Sequence, residues 1–214
     1  MDADLLERLA PDLIITQELC AVCAVSYSIV DKAAKRLTSD PRVISLEPST
    51  LEDVYANIET VGSLIGREEA ARALVSSLRE REQRLRDRTA RLPKPRTLVL
   101  EWTDPPMSGG HWTPGLVEIA GGTPVLANPG ANSQVIAWEQ IAAEDPDEII
   151  VAPCGFDLAK TSDAVHALQS NPIWKALRAV ENRCVHLVDG NAYVNRPGPR
   201  LVDTAEIFAA ALHP

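Results

Sequence analysis

The chain has 214 residues, 45% of them hydrophobic and 24% charged, with a formal net charge of −9. This is enough apolar material for one large or two small α/β domains, and it excludes wholesale disorder. The acidic balance argues against nucleic acid as a main partner, and no run of about 18 apolar residues marks a membrane span.

Residues 1–10 read as the end of a helix that breaks at Pro11, and DLIIT (12–16) is a β-branched run suited to a short buried strand. AVSYSIVDKAAKRL (24–37) reads as a helix, RVISLE (42–47) as a second strand, and Thr50 with Glu52 and Asp53 opens a further helix. Residues 67–92 contain no Gly or Pro, and Leu74, Leu78, Leu85 and Leu92 fall on one face. The basic residues of 79–91 alternate with acidic ones, as on a solvated helix face. Such a helix would extend about 39 Å, enough for a strut between two lobes, before PKPR (93–96) stops it.

Beyond it, short apolar runs alternate with helical patterns. TLVLEW (97–102), TPVLA (123–127), EIIVAP (148–153) and CVHLV (184–188) are strands. The segments 113–120, 137–144, 157–169, 172–180 and 199–212 are helices. This alternation favours parallel sheets with functional residues at the strand C-termini. The expected organisation is a partial N-terminal α/β lobe over 1–66, a bridging helix over 67–92 and a C-terminal α/β lobe over 93–214.

Four loops follow strands and carry unusual residues: QELCAVC (17–23), DPPMSGGHW (104–112), PCGFD (153–157) and GNAYVNRPGPR (190–200). Cys20 and Cys23 form a CxxC that allows close packing, ligand lining, or redox or metal chemistry. Gly109 and Gly110 match neither a P-loop nor a GxGxxG fingerprint, so no phosphate cradle is expected. Trp112 in that glycine-flexed loop suits a flat apolar contact. Tyr193, Arg196 and the two asparagines of the last loop suit either a structural turn or a polar, planar ligand. No Ser-His-Asp set, carboxylate dyad or metal cluster emerges from them, and these loops read as a binding cleft.

The stretches PDLIITQELCAVCAVS, LEPSTLEDV, LEWTDPPMSGGHWTPGLVEIAGG, APCGFDL and NAYVNRPGPRLVD resemble the cobalamin-binding proteins. These sit among the iron-siderophore and vitamin B12 substrate-binding proteins of ABC importers. The resemblance implies two Rossmann-like lobes with parallel sheets bridged by one long helix, holding a corrinoid in the cleft between them. By position it implies ligand contacts from Gln17, Cys20 and Cys23 in the first lobe. From the second it implies Met107, His111, Trp112, Cys154, Phe156, Tyr193 and Arg196, with His111 as a potential axial ligand to cobalt. It also implies permease docking through Asp4 and Glu139.

The family's usual strand–helix–strand portion ahead of PDLI is absent, so the N-terminal lobe is expected to be incomplete. The N-terminus lacks the basic start and cleavage site of a signal peptide, which implies a cytoplasmic chain as it stands. The resemblance implies an extracytoplasmic one. Haem or a ferric siderophore is the alternative ligand, and a thiol oxidoreductase using Cys20 and Cys23 the alternative class.

Overall fold

The computed structural model describes residues 2–17, 27–35 and 37–214, in two compact units, Met1–Pro48 and Ser49–Pro214. In the first unit, helix α1 (Ala3–Leu9) is capped by Asp2, whose side chain accepts from the Leu5 amide at 2.9 Å. Strands β1 (Leu13–Thr16) and β2 (Arg42–Ser45) pair in parallel, Leu13 opposite Arg42 and Thr16 opposite Ser45. Parallel pairing needs a long crossover, and the connection carries helix α2 (Tyr27–Ala34).

The second unit begins with helices α3 (Leu51–Leu64) and α4 (Glu68–Thr89). Thr50 and Asp53 form a reciprocal capping box: the Asp53 amide donates to Thr50 Oγ1 at 3.2 Å, and the Thr50 amide to Asp53 Oδ2 at 2.8 Å. The two helices are joined by a Tyr55 hydroxyl bond to Glu82 at 2.9 Å and by an Arg79–Glu52 ion pair, with the Arg79 guanidinium 4.8 Å from the Tyr55 ring centroid. The division therefore falls at Pro48–Ser49, where the sequence placed a lobe boundary at 66, because α3 packs on α4 and leaves with it.

The buried stripe of α4 is Ala71, Val75, Leu78, Leu85 and Thr89. Leu78 and Leu85 lie on it as expected, but Leu74 and Leu92 are 40% and 38% exposed. The buried face binds the rest of the unit. Thr89 donates to the Ile119 carbonyl at 3.2 Å, and Arg81 bonds Asp203 (2.6 Å) and Glu206 (2.7 Å).

The sheet of this unit has six strands among the described residues: β3 (Arg96–Thr103), β4 (Pro106–Ser108), β5 (Thr123–Pro124), β6 (Gln134–Val135), β7 (Glu148–Val151) and β8 (Val185–Leu187). Their order is β6-β4-β3-β7-β8, with β5 also pairing β3. β3, β5, β7 and β8 run parallel, as the alternation predicted. β4 and β6 are antiparallel additions at one edge that the sequence reading left as loop.

Helices α5 (Thr113–Ile119), α6 (Trp138–Glu144), α7 (Leu158–Ala167), α8 (Pro172–Ala176), α9 (Arg178–Glu181) and α10 (Leu201–Leu212) complete the unit. One face of the sheet sends Leu98, Leu100, Ile149 and Val151 into a core shared with Ile141, Trp174 and Leu177. Val99 and Ile150, on alternate positions, are buried as well. Burial on both faces explains why these strands read as continuous apolar runs rather than alternating ones. No helix among the described residues is long and apolar enough to cross a membrane.

Candidate functional site

The C-terminal ends of β3, β7 and β8 bring three of the four unusual loops together. Their hydrogen bonds run between loops, not only within them. The Trp112 indole N–H donates to the Val194 carbonyl at 2.8 Å, tying the turn after β4 to the loop after β8. The Asn191 amide donates to the Phe156 carbonyl at 3.0 Å, and the Asn195 side chain to the Ala152 carbonyl at 2.9 Å. Gly190 makes that approach possible: a Cβ there would lie 2.3 Å from the Pro153 carbonyl oxygen. Asp157 accepts from the Lys160 amide at 2.9 Å, capping α7 and fixing the end of the loop after β7.

Met107, His111, Trp112, Cys154, Phe156, Tyr193 and Arg196 thus share one end of the sheet, as the loop positions implied, but their exposure differs. Cys154 and Arg196 are exposed; Met107, His111, Phe156 and Tyr193 are half-buried. Trp112 is only 7% exposed with its polar edge already bonded, so it supports the loops from beneath and does not present a face. Arg196 donates to the Asn191 carbonyl (2.8 Å) and side-chain oxygen (2.5 Å), which closes its own loop. His111 has φ 50, and its Nε2 is buried without a hydrogen-bond partner, so that nitrogen is not offered at the surface.

Two residues that the sequence reading did not single out belong here. The register sets Trp102 of β3 opposite Met107 of β4, and Met107 opposite Val135 of β6. Opposed residues in neighbouring strands share a face, so Trp102, Met107 and Val135 form one row across three strands. Phe156 packs edge-on against Trp102, centroids 5.1 Å apart at 64°. Val135 is 61% exposed. The result is an apolar, aromatic surface carried by rigid strands. The signal for Trp102 was its place as the last apolar residue of TLVLEW; Val135 had none, because its partner strand has three residues.

A carboxylate lies behind this surface. Glu101 accepts from the Thr113 hydroxyl at 2.8 Å and from the Ser133 hydroxyl. Burial pushes its carboxyl above the ordinary range, opposed by those two hydroxyls, by the charge of His111 and by the Gly110 amide.

In the first unit, Gln17 directly follows β1 and is half-buried. Cys20 and Cys23 lie outside the described residues. Asp4 and Glu139 are both exposed, in the first turns of α1 and α6. Among the described residues, no group of three or more His, Cys, Asp or Glu side chains is arranged to hold a metal ion.

A family model described as Periplasmic binding protein matches residues 1–192. No curated protein matches the chain. Among solved structures the chain is similar to an ABC transporter substrate-binding protein from Listeria monocytogenes EGD-e, at 20% identity and a TM-score of 0.82, over 99% of this chain and 80% of that one. It is also similar to a periplasmic heme-binding protein from Pseudomonas aeruginosa, at 23% identity and a TM-score of 0.79, over 100% and 76% of the two chains. The periplasmic vitamin B12 binding protein of Vibrio cholerae gives 22% identity and a TM-score of 0.70, over 98% and 76%. At these identities the likeness is one of fold.

Proposed function

The chain belongs to the periplasmic binding protein family, and on that premise we propose that it is the solute-binding component of an ABC importer, with a cobalamin-type corrinoid as its ligand. The observation that carries this reading is the row Trp102–Met107–Val135 with Phe156 set edge-on to it. A corrinoid is a broad ring fringed by amides. An apolar strand-borne surface beside a loop holding Asn191 and Tyr193 offers it flat contact with polar side chains at the edge; the Asn195 amide is already taken up by the Ala152 and Gly190 carbonyls. Gln17, Cys20 and Cys23 are proposed to add ligand contacts from the first unit. The protein binds and hands over its ligand; it performs no chemistry on it.

Haem is the second reading, since the same flat surface suits a porphyrin and solved neighbours include a heme-binding protein. A ferric siderophore is less well served. Arg196 and Arg200, the cations of the loop after β8, both donate to carbonyls of that loop, which leaves an anionic ligand fewer donors. A thiol oxidoreductase built on Cys20 and Cys23 would not need the aromatic row.

Gel filtration after incubation with cyanocobalamin or with hemin tests the assignment. Corrinoid absorbance in the protein peak is the expected result. Retention of hemin alone transfers the proposal to haem, and a colourless peak with both sinks it. Trp102→Ala should weaken binding about tenfold, and unchanged affinity would remove the row from the site.

A further inference from the structure

Glu101 occupies an irregular position in β3. Leu100 lies opposite Ser108 and Trp102 opposite Met107, so Glu101 is the extra residue of a bulge. Bulges next to functional surfaces re-aim side chains, and here the bulge sets Trp102 into the row with Met107. The Glu101 carboxylate then ties two further segments to that point: the start of α5 through Thr113, and the segment before β6 through Ser133. Its backbone carbonyl accepts from the Cys154 amide at 3.0 Å, which draws in the loop that carries Phe156.

Three of the four apolar contacts are thereby one or two residues from Glu101 or from a bond to it. Trp102 follows it, Val135 follows Ser133 by two, and Phe156 follows Cys154 by two. The segments it joins also touch through their backbones. The His111 amide donates to the Ala131 carbonyl at 2.6 Å and the Gly130 amide to the His111 carbonyl at 3.0 Å. Gly110 has no room for a side chain, because a Cβ would lie 2.3 Å from the Ser133 nitrogen.

A charge in this place needs compensation, and among the described residues His111 is the titratable side chain whose charge acts on it. The other groups facing the carboxylate are neutral: the Thr113 and Ser133 hydroxyls and the Gly110 amide. The imidazole cannot serve an approaching metal through Nε2, which is enclosed and unpartnered.

We infer that Glu101 is a positioning residue that holds the aromatic row in place through its bonds to Thr113 and Ser133, and that the enclosed Nε2 of His111 is not an axial ligand. The part of this inference that concerns ligand affinity rests on the proposed function; the tethering does not.

Carboxyl 13C NMR titration, with the Glu101 resonance assigned by its loss in Glu101→Gln, tests the tethering without any ligand. Glu101 should titrate above the ordinary carboxylate range in the wild type and higher still in Ser133→Ala, which loses one donor to the carboxylate. An identical titration in the two proteins overturns the tethering. For positioning, Glu101→Ala should weaken whichever of cyanocobalamin or hemin the wild type retains by about tenfold. Glu101→Gln, which keeps an acceptor for the hydroxyls, should recover most of the loss, and wild-type affinity in Glu101→Ala overturns the role.

If Glu101→Ala does not fold, Thr113→Val and Ser133→Ala each remove one tether and should each weaken binding about threefold; no effect in either has the same adverse meaning. The visible band of bound hemin should keep its position in His111→Gln, and a shifted band would make His111 a ligand after all. A wild type that binds neither compound defeats the functional reading while the titration still decides the tethering.

Discussion

Glu101 keeps a carboxylate where burial opposes its charge, and the sign of that effect on stability follows from linkage. Its folded-state pKa is raised above the unfolded value, so between the two values the folded protein holds a proton that the unfolded chain has released. Stability from this group is therefore full below the ordinary carboxylate range and is lost as pH rises through the folded value. Glu101→Gln should be at least as stable as the wild type in urea at pH 7, with the difference shrinking as the pH is lowered toward the ordinary carboxylate range. A wild type that gained on the variant with rising pH would contradict this. Trp112 gives the opposite case, a neutral group whose partner is left behind. Trp112→Phe strands the Val194 carbonyl and should cost about 1–2 kcal/mol of unfolding free energy. The residue identities of this region were plain in the sequence, but their roles were not. Trp112 looked like the ligand contact because it follows two glycines; it is Trp102, at the end of a strand, that meets Phe156 and Met107.

Helices α3 and α4 show how local signals and packing divide the work. The Ser-Thr…Asp start of α3 is a local pattern, and its reciprocal bonds appear as the residue types require. Asp53→Ala should cost about 1 kcal/mol. Its carboxyl is held below the ordinary range, first by the Thr50 hydroxyl and then by the Ser49 and Thr50 amides. This contribution is present at neutral pH and is lost as pH falls through the folded value, the reverse of Glu101. In α4 a leucine heptad alone could not tell which leucines meet the core. Leu85, 3% exposed, should cost about 2–5 kcal/mol on truncation to alanine. Leu74, 40% exposed, should cost less than about 1 kcal/mol; equal losses in urea unfolding would contradict the observed face. β4 and β6 were illegible for another reason: strands of two or three residues are too short for a period to show, and Pro105, Gly109 and Gly110 read as loop.

For the whole molecule, an exposed acidic residue at the start of α1 and another at the start of α6 are available to a basic partner surface on a net charge of −9. If Asp4 and Glu139 dock an ABC permease, Asp4→Arg with Glu139→Arg should reduce ligand uptake by permease-containing vesicles tenfold or more. The affinity for ligand, read by titration without vesicles, should not move. Unimpaired uptake would leave both carboxylates as ordinary helix-start residues, favourable to the helix dipole and nothing more.

The sequence by itself determined the α/β class, the order of the long elements and the placement of unusual loops after strands. These follow from apolar runs, capping residues and glycine or proline breaks acting over a few neighbours. Membership of the broader periplasmic binding protein family was also legible, and a family model matches residues 1–192. Only the tertiary structure decided which aromatic faces outward, because that depends on strand register across β3, β4 and β6. It also decided that Glu101 links three segments, since its partners Thr113 and Ser133 lie 12 and 32 residues away along the chain. Register and side-chain hydrogen bonds between distant segments carry no periodic trace in sequence, whereas burial and backbone preference do.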